Sequence, residues 1–256
     1  MLIDDIRRFK EKLAAGAVFG PFAKTKDPAF IEIAGYAGFD FVILDLEHGP
    51  NSIETAQDLI RAARLAKILP IVRVKEENDS VIKEALDIGA AGIQVPQVTT
   101  AEAAKKIVRL AKFAPDGMRG LCRFVRAANY SSLDRYEYIQ SSNETLIIAQ
   151  LEGQEAIANL DEIMDVKGID VLFVGTYDLS QSLGVPGQVN HPLVLSKVQE
   201  IIERCQAKGI HVGSFADTLE NAKYFKEAGV KYISYSSDMG LFYEQCRQTA
   251  GALRQG

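Results

Sequence analysis

Asp45, Glu47 and His48 close an unbroken apolar run, Phe41-Val42-Ile43-Leu44, and Gly49-Pro50 turns the chain just after them. Carboxylates and an imidazole near neutral pH move protons or activate metal-bound water. Burying such groups without partners is costly. Two readings follow: the three side chains face water in a loop, or a buried strand lifts them into a site. Glu152 follows Gln150-Leu151, and Asp178 ends Gly175-Thr176-Tyr177-Asp178. Each has a plainer reading, Glu152 as an exposed loop acid and Asp178 as the cap of a short helix before Leu179-Ser180. Arg73 lies between Val72 and Val74 in a segment too apolar for a sheet edge. A buried guanidinium needs an anion, either a structural aspartate or a substrate carboxylate or enolate. Several carboxylates around one inward arginine suit a hard divalent cation, and Mg²⁺, Mn²⁺ and Co²⁺ are all compatible with oxygen ligands.

The elements that must position these groups alternate along the chain as short apolar strand, polar loop and amphipathic helix. Strands are expected at 17–22, 41–46, 69–74, 92–96, 145–151, 170–174, 210–215 and 231–235, each followed by a helix. That rhythm predicts a parallel sheet covered by helices. Eight repeats over 256 residues read as an α/β protein, a single (β/α)8 TIM barrel over 1–256. A doubly wound open sheet is the alternative, but no GxGxxG follows the first strand. Asp27-Pro28 marks a helix start. Asn51 with Glu54 and Thr99 with Glu102 suit capping boxes. Residues 113–143 form one irregular section carrying Arg119, Arg123 and Arg126. Loops this long often line functional sites, and its arginines are read as a solvated face or as contacts to an anionic substrate or a neighbouring subunit. In a barrel, function sits at the C-terminal ends of the strands. Strands five and six would then place Glu152 and Asp178 side by side. Strands seven and eight would offer Ser214, Asp217, Ser236 and Asp238.

The chain is 47% hydrophobic with a net charge of −5, which argues against a general polyanion binder such as a nucleic-acid protein. No apolar run reaches the ~20 residues of a membrane span. The start is charged and amphipathic, unlike a signal peptide, and a cytoplasmic location is expected. Cys122, Cys205 and Cys246 show no CxxC spacing and read as inert packing thiols. His191 reads as a loop residue before a helix, and His211 as the bottom of strand seven.

Taken together, residues 39–50, Pro-Ile-Val-Arg-Val (70–74), Asp-Ile-Gly-Ala-Ala-Gly-Ile-Gln-Val-Pro (87–96), Gly-Met-Arg-Gly (117–120), Gln-Leu-Glu (150–152) and Gly-Thr-Tyr-Asp-Leu-Ser (175–180) resemble the HpcH/HpaI aldolase family. The resemblance runs from about residue 15 to 240. It implies a metal-dependent class II aldolase that releases pyruvate and an aldehyde from a 4-hydroxy-2-oxo acid. It implies metal binding by Glu152 and Asp178, contact of Arg73 with the keto oxygen, and an acid/base pair of His48 with Asp45. Glu47 would stand behind the metal and Gln150 beside the oxoacid. Gly175, Thr176, Tyr177 and Asp178 would hold the pyruvate carboxylate through backbone N–H groups. The resemblance also implies a homo-oligomer, a hexamer of dimers that exchange their last helix. The family often shows Gly-Pro-Ala-Asp where this chain has Gly-Thr-Tyr-Asp, so Tyr177 would reshape the pocket. Two other readings stand beside the aldolase. One is a related oxoacid lyase acting on CoA thioesters or oxaloacetate; the other is a non-catalytic oxoacid-binding protein in which Tyr177 blocks the aldehyde site.

Overall fold

A computed structural model of the chain describes residues 2–255. Eight parallel strands pair in sequence order and close into a barrel. They are β1 (Val18–Ala23), β2 (Phe41–Asp45), β3 (Leu69–Arg73), β4 (Gly92–Val95), β5 (Leu146–Leu151), β6 (Val171–Val174), β7 (His211–Ala216) and β8 (Tyr232–Ser237). The ring closes where Val18 pairs with Tyr232. The helices are α1 (Leu2–Ala15), α2 (Pro28–Tyr36), α3 (Ile53–Leu65), α4 (Asp79–Asp87), α5 (Ala101–Ala111), α6 (Arg135–Ser142), α7 (Gly153–Ala158), α8 (Leu160–Met164), α9 (Thr176–Ser182), α10 (Pro192–Ala207), α11 (Leu219–Ala228) and α12 (Asp238–Gln255). The expected TIM barrel is therefore the fold. Among the described residues no helix is long and apolar enough to cross a membrane.

Successive strand residues point to opposite faces, and the core divides accordingly. Val42, Leu44, Val72 and Ile147 face outward into the layer shared with the helices. Phe41, Ile43, Ile71, Ile148 and Phe173 face inward. Helix α1 closes the bottom of the barrel by adding Ile6, Phe9 and Leu13 to that inner cluster. Its floor is aromatic. The Phe41 and Tyr232 rings stack at 4.1 Å, and Phe9 meets Phe41 edge-on at 5.9 Å. Such pairs contribute ~0.5–1.5 kcal/mol beyond their buried area.

Asp27 caps α2 by accepting from the Ala29 N–H, with Pro28 in the first turn. The other two caps fall one residue later than expected. Ser52 accepts from Thr55 N–H and Thr100 from Ala103 N–H. Asn51 turns inward instead and donates to the carbonyls of Ala23 and Asp45. The single helix expected after β5 is split into α7 and α8 at Asn159, whose amide donates to the Thr99 carbonyl at 2.8 Å.

Section 113–143 joins α5 to β5, so it lies at the N-terminal end of the barrel, opposite the strand tops where a barrel carries its chemistry. It forms its own small core of Phe113, Ala128 and Tyr138. Its arginines serve that structure rather than an anionic substrate. Arg119 pairs with Asp87 at 2.6 Å, Arg123 donates to the Ser131 and Leu133 carbonyls, and Arg126 donates to the Ile88 carbonyl. Cys205 is buried, its thiol pushed up to about 12 by desolvation, as suits a packing thiol. Cys246 is exposed and so does not pack in the core of this chain.

Candidate active site

Strand alternation decides which side chains reach the upper end of the barrel. The inward series on β2 runs Phe41, Ile43, Asp45, and on β3 it runs Leu69, Ile71, Arg73. On β5 it runs Leu146, Ile148, Gln150, with Glu152 next. The lower members are apolar and fill the barrel; the last members are polar. Register then sets neighbours level: Asp45 pairs with Arg73, and Arg73 with Gln94.

That level produces a buried ion cluster. Asp45 is fully buried. Its Oδ1 accepts from Arg73 Nε at 2.9 Å, and its Oδ2 from Arg73 Nη2 at 2.7 Å and Lys24 Nζ at 2.6 Å. Burial alone would raise the carboxyl of Asp45, but the hydrogen bonds and charges of Arg73 and Lys24 outweigh it and lower it to about 2. Of the two partners open to Arg73 from sequence, the structural aspartate is therefore present. Arg73 also meets Glu47, with Nη1 3.0 Å from Oε2. The contact is an ion pair without a hydrogen bond, and the buried Oε2 has no donor among the described residues. Burial is the main cause that raises the Glu47 carboxyl.

Asp45 holds the following turn through its backbone: Oδ1 also accepts from the N–H groups of Glu47 and His48 at 3.1 and 3.2 Å. The link between Asp45 and His48 thus runs through the main chain. The His48 ring is 70% exposed, with Nε2 3.8 Å from Glu47 Oε2. Lys24 fixes the same turn by donating to the His48 carbonyl at 2.6 Å. Lys24 is itself anchored, because Asp238 at the root of α12 accepts from Lys24 N–H, Thr25 N–H and Thr25 Oγ1.

A second chain of contacts crosses to the other wall. Gln94 Nε2 donates to Gln150 Oε1 at 2.6 Å, and Gln150 Nε2 donates to Glu152 Oε1. Glu152 and Asp178 converge over Gly175. A Cβ built on that glycine would lie 3.4 Å from Asp178 Oδ2 and 3.6 Å from Glu152 Oε1. Burial, and then the charges of Asp178 and Glu47, push the Glu152 carboxyl up to about 7 against the Gln150 hydrogen bond. Two acids crowded against a bare glycine, one of them costly to ionise, form a donor set that a divalent cation would relieve. Among the described residues no three His, Cys, Asp or Glu side chains are grouped to hold an ion. Oxygens of water or substrate would therefore complete the shell, as is common for Mg²⁺.

These groups surround one cavity of about 340 Å³. His48, Arg73, Gln150 and the Gly175–Asp178 turn line it. Asp45, Glu47 and Glu152 stand against those residues. Ser236 lines it from a left-handed backbone, φ 53°. Ser214 is buried and donates to the Val174 carbonyl, and Asp217 accepts from Tyr177 at the rim. Sequence reasoning missed Lys24, Gln94, Phe22 and Phe215. Their signal was the same inward alternation, Phe22 on the first strand then Lys24 just past its end, and Gln94 level with Arg73.

A closed barrel with an ionisable cavity at its strand tops is the frame of a TIM-barrel enzyme. The chain belongs to the HpcH/HpaI aldolase/citrate lyase family, which matches residues 19–244, and it is a carbon–carbon lyase. The 5-keto-4-deoxy-D-glucarate aldolase of Citrobacter koseri is 33% identical over the full length of both chains. An HpcH/HpaI aldolase/citrate lyase family protein from Burkholderia cenocepacia superposes with a TM-score of 0.91 at 30% identity, covering 96% of this chain and 99% of that one. The citrate synthase SbnG superposes at 0.86 with 34% identity, covering 98% and 97%.

Proposed function

We propose that the chain is a divalent-metal-dependent aldolase that cleaves a 4-hydroxy-2-oxo acid reversibly to pyruvate and an aldehyde. The observation that carries this reading is the convergence of Glu152 and Asp178 over Gly175, in a cavity that Arg73 and Gln150 also line. Glu152 and Asp178 would hold the ion; Mg²⁺, Mn²⁺ and Co²⁺ all suit the donors. When bound, it supplies Lewis-acid polarisation of the 2-oxo group.

The remaining work falls to the chain. Arg73, locked by Asp45, presents fixed positive charge where the 2-oxo oxygen becomes negative as the C3–C4 bond breaks. The N–H groups that open α9 have no partner within the helix and would receive the substrate carboxylate. Gln150, tied to Glu152, borders the oxoacid. The His48 ring takes the 4-hydroxyl proton, directly or through water, and returns it in the condensation direction. Asp45 and Lys24 keep its backbone in place, and Glu47 stands behind the ion. Tyr177 lines a cavity that keeps about 340 Å³ open, which supports the aldolase over a non-catalytic binder.

A cytoplasmic location and a homo-oligomer with exchanged last helices belong to the same proposal. Exposed apolar side chains along α12, such as Phe242 and Leu253, support the oligomer. Pyruvate release from a panel of 4-hydroxy-2-oxo acids, with and without chelator, tests the reading. Activity is expected to vanish in the metal-free enzyme and in Glu152→Ala. Full activity in either would overturn it.

A further inference from the structure

The two halves of the cavity differ in chemistry. Arg73, Gln150 and the Gly175–Asp178 turn form the polar half already assigned to the oxoacid. The adjoining part is aromatic, with Lys24, His48, Ser236 and Ser237 beside it. Tyr177 packs on Phe215 with ring centroids 6.1 Å apart, and Phe215 meets Phe22 at 5.9 Å. The Arg73 guanidinium lies over the other side of that row, 4.6 Å from the Phe22 centroid. A continuous row of rings therefore runs from the helix that carries Asp178 to the arginine. All three rings line the cavity.

Tyr177 is held in this row from outside. Its hydroxyl donates to Asp217 Oδ2 at 2.9 Å, and Asn221 Nδ2 donates to Asp217 Oδ1 at 2.9 Å. Although fixed, the ring remains 44% exposed, which leaves surface to cover a ligand. At the Tyr177 end, away from Arg73, the nearest charge is the Asp217 carboxylate, which disfavours an acidic ligand there. The Lys24 ammonium already serves Asp45 and the His48 carbonyl, and the Asp217 carboxylate is held by a phenol and an amide rather than by a cation.

We propose that Tyr177 and Phe215, backed by the buried Phe22, form the acceptor subsite, and that the aldehyde it takes carries an aryl or other apolar body rather than a hydroxylated or acidic chain. This rests on the aldolase reading of the same cavity. In the condensation direction, pyruvate C3 gives up a proton and bonds to the aldehyde carbon, and the aldehyde oxygen gains a proton. The ring row contacts only the body of the aldehyde and takes no part in that exchange. Tyr177 is thus a specificity residue, with Asp217 as its positioning partner.

The test compares condensation of pyruvate with benzaldehyde, glycolaldehyde and glyoxylate in the metal-loaded enzyme. Ligand-observed NMR of benzyl alcohol and ethylene glycol runs alongside and needs no turnover. The native chain is expected to favour benzaldehyde in kcat/KM. Tyr177→Ala is expected to lower that preference about 3- to 10-fold, the scale of one aromatic contact. Tyr177→Phe should keep most of it, and Asp217→Ala, with the ring unpinned, should fall between. Binding of benzyl alcohol should weaken in the same order. A native preference for glycolaldehyde or glyoxylate, or equal losses on all three aldehydes in Tyr177→Ala, overturns the inference while leaving the aldolase standing. Benzyl alcohol binding that depends on Tyr177 without any turnover supports the subsite and removes the aldolase. Neither turnover nor such binding removes both.

Discussion

Asp45 is the residue on which the ionic part of the site turns, and its behaviour with pH can be given a sign. Its folded-state carboxyl is lowered from 3.8 to about 2. A lowered value means that the charged form is favoured by folding. Its contribution is complete above the unfolded value, near pH 4, and is lost as pH falls through about 2. A shift of this size corresponds to about 2 kcal/mol. Asp45→Asn should therefore unfold at lower urea at neutral pH, by ~3 kcal/mol once the stranded cations are included. The gap to the native chain should shrink between pH 4 and pH 2; a gap of constant size would show that the ion cluster is not its source. Arg73→Lys keeps the charge but loses the two-pronged contact with Asp45. Its activity should drop on the order of 100-fold, with a stability loss smaller than that of Asp45→Asn, measured by kcat and urea unfolding on one preparation. The need of Arg73 for an anion was legible in the sequence because the arginine sits inside an apolar strand. Lys24 was not, because Lys24-Thr25-Lys26 has the composition of a solvated turn. Only its place two residues beyond an inward Phe22 separates it from one.

At the scale of elements, the strands were legible because each alternates between a barrel interior and a helix layer, and the polar ends of the inward series mark the site. Helix starts were legible only to within a residue. Asn51 and Ser52 are both good capping residues, and the choice fell to Ser52 because Asn51 is drawn inward to the Ala23 and Asp45 carbonyls. The option that section 113–143 lines the site rested on length alone, and a connection running from a helix to a strand lies at the bottom of a barrel whatever its size. The element with the least expected role is the root of α12. Asp238 ties that helix to the end of β1, and through Lys24 to the His48 turn. Asp238→Ala leaves the Lys24 and Thr25 N–H groups without their acceptor. It should cost about 2–3 kcal/mol and lower kcat as the His48 turn loosens. Asp238→Asn keeps one acceptor oxygen and should recover about half of both losses. Thermal unfolding and steady-state kinetics on the two variants check this; an unchanged kcat in Asp238→Ala would separate the α12 root from the site.

Across the whole molecule, the last helix carries the most exposed apolar surface bearing on the proposed oligomer. Helix α12 is 18 residues long, ~27 Å at 1.5 Å per residue, and of its residues only Asp238 is buried. Met239, Phe242, Tyr243 and Cys246 fall at i, i+3, i+4 and i+7, one stripe of the helix, and all four are exposed. Phe242 meets Phe30 of α2 edge-on at 6.1 Å, and Ile33 and Tyr36 of α2 are exposed as well. An apolar surface contributed by two neighbouring helices supports the proposed oligomer, in which a second copy would exchange or pack its own α12 there. Light scattering of the native chain should accordingly report an oligomer. A double substitution, Phe242→Asp with Tyr243→Asp, should shift it to a smaller species. The far-UV spectrum should stay unchanged, because neither side chain belongs to the barrel core. The Asp238 anchor makes a further outcome specific. Dissociation should lower activity by loosening the root of α12, and the loss should be largest at dilutions where the oligomer is least populated. A native chain that scatters as a monomer at all concentrations, with unaltered activity in the double variant, would mean that the stripe is left to solvent.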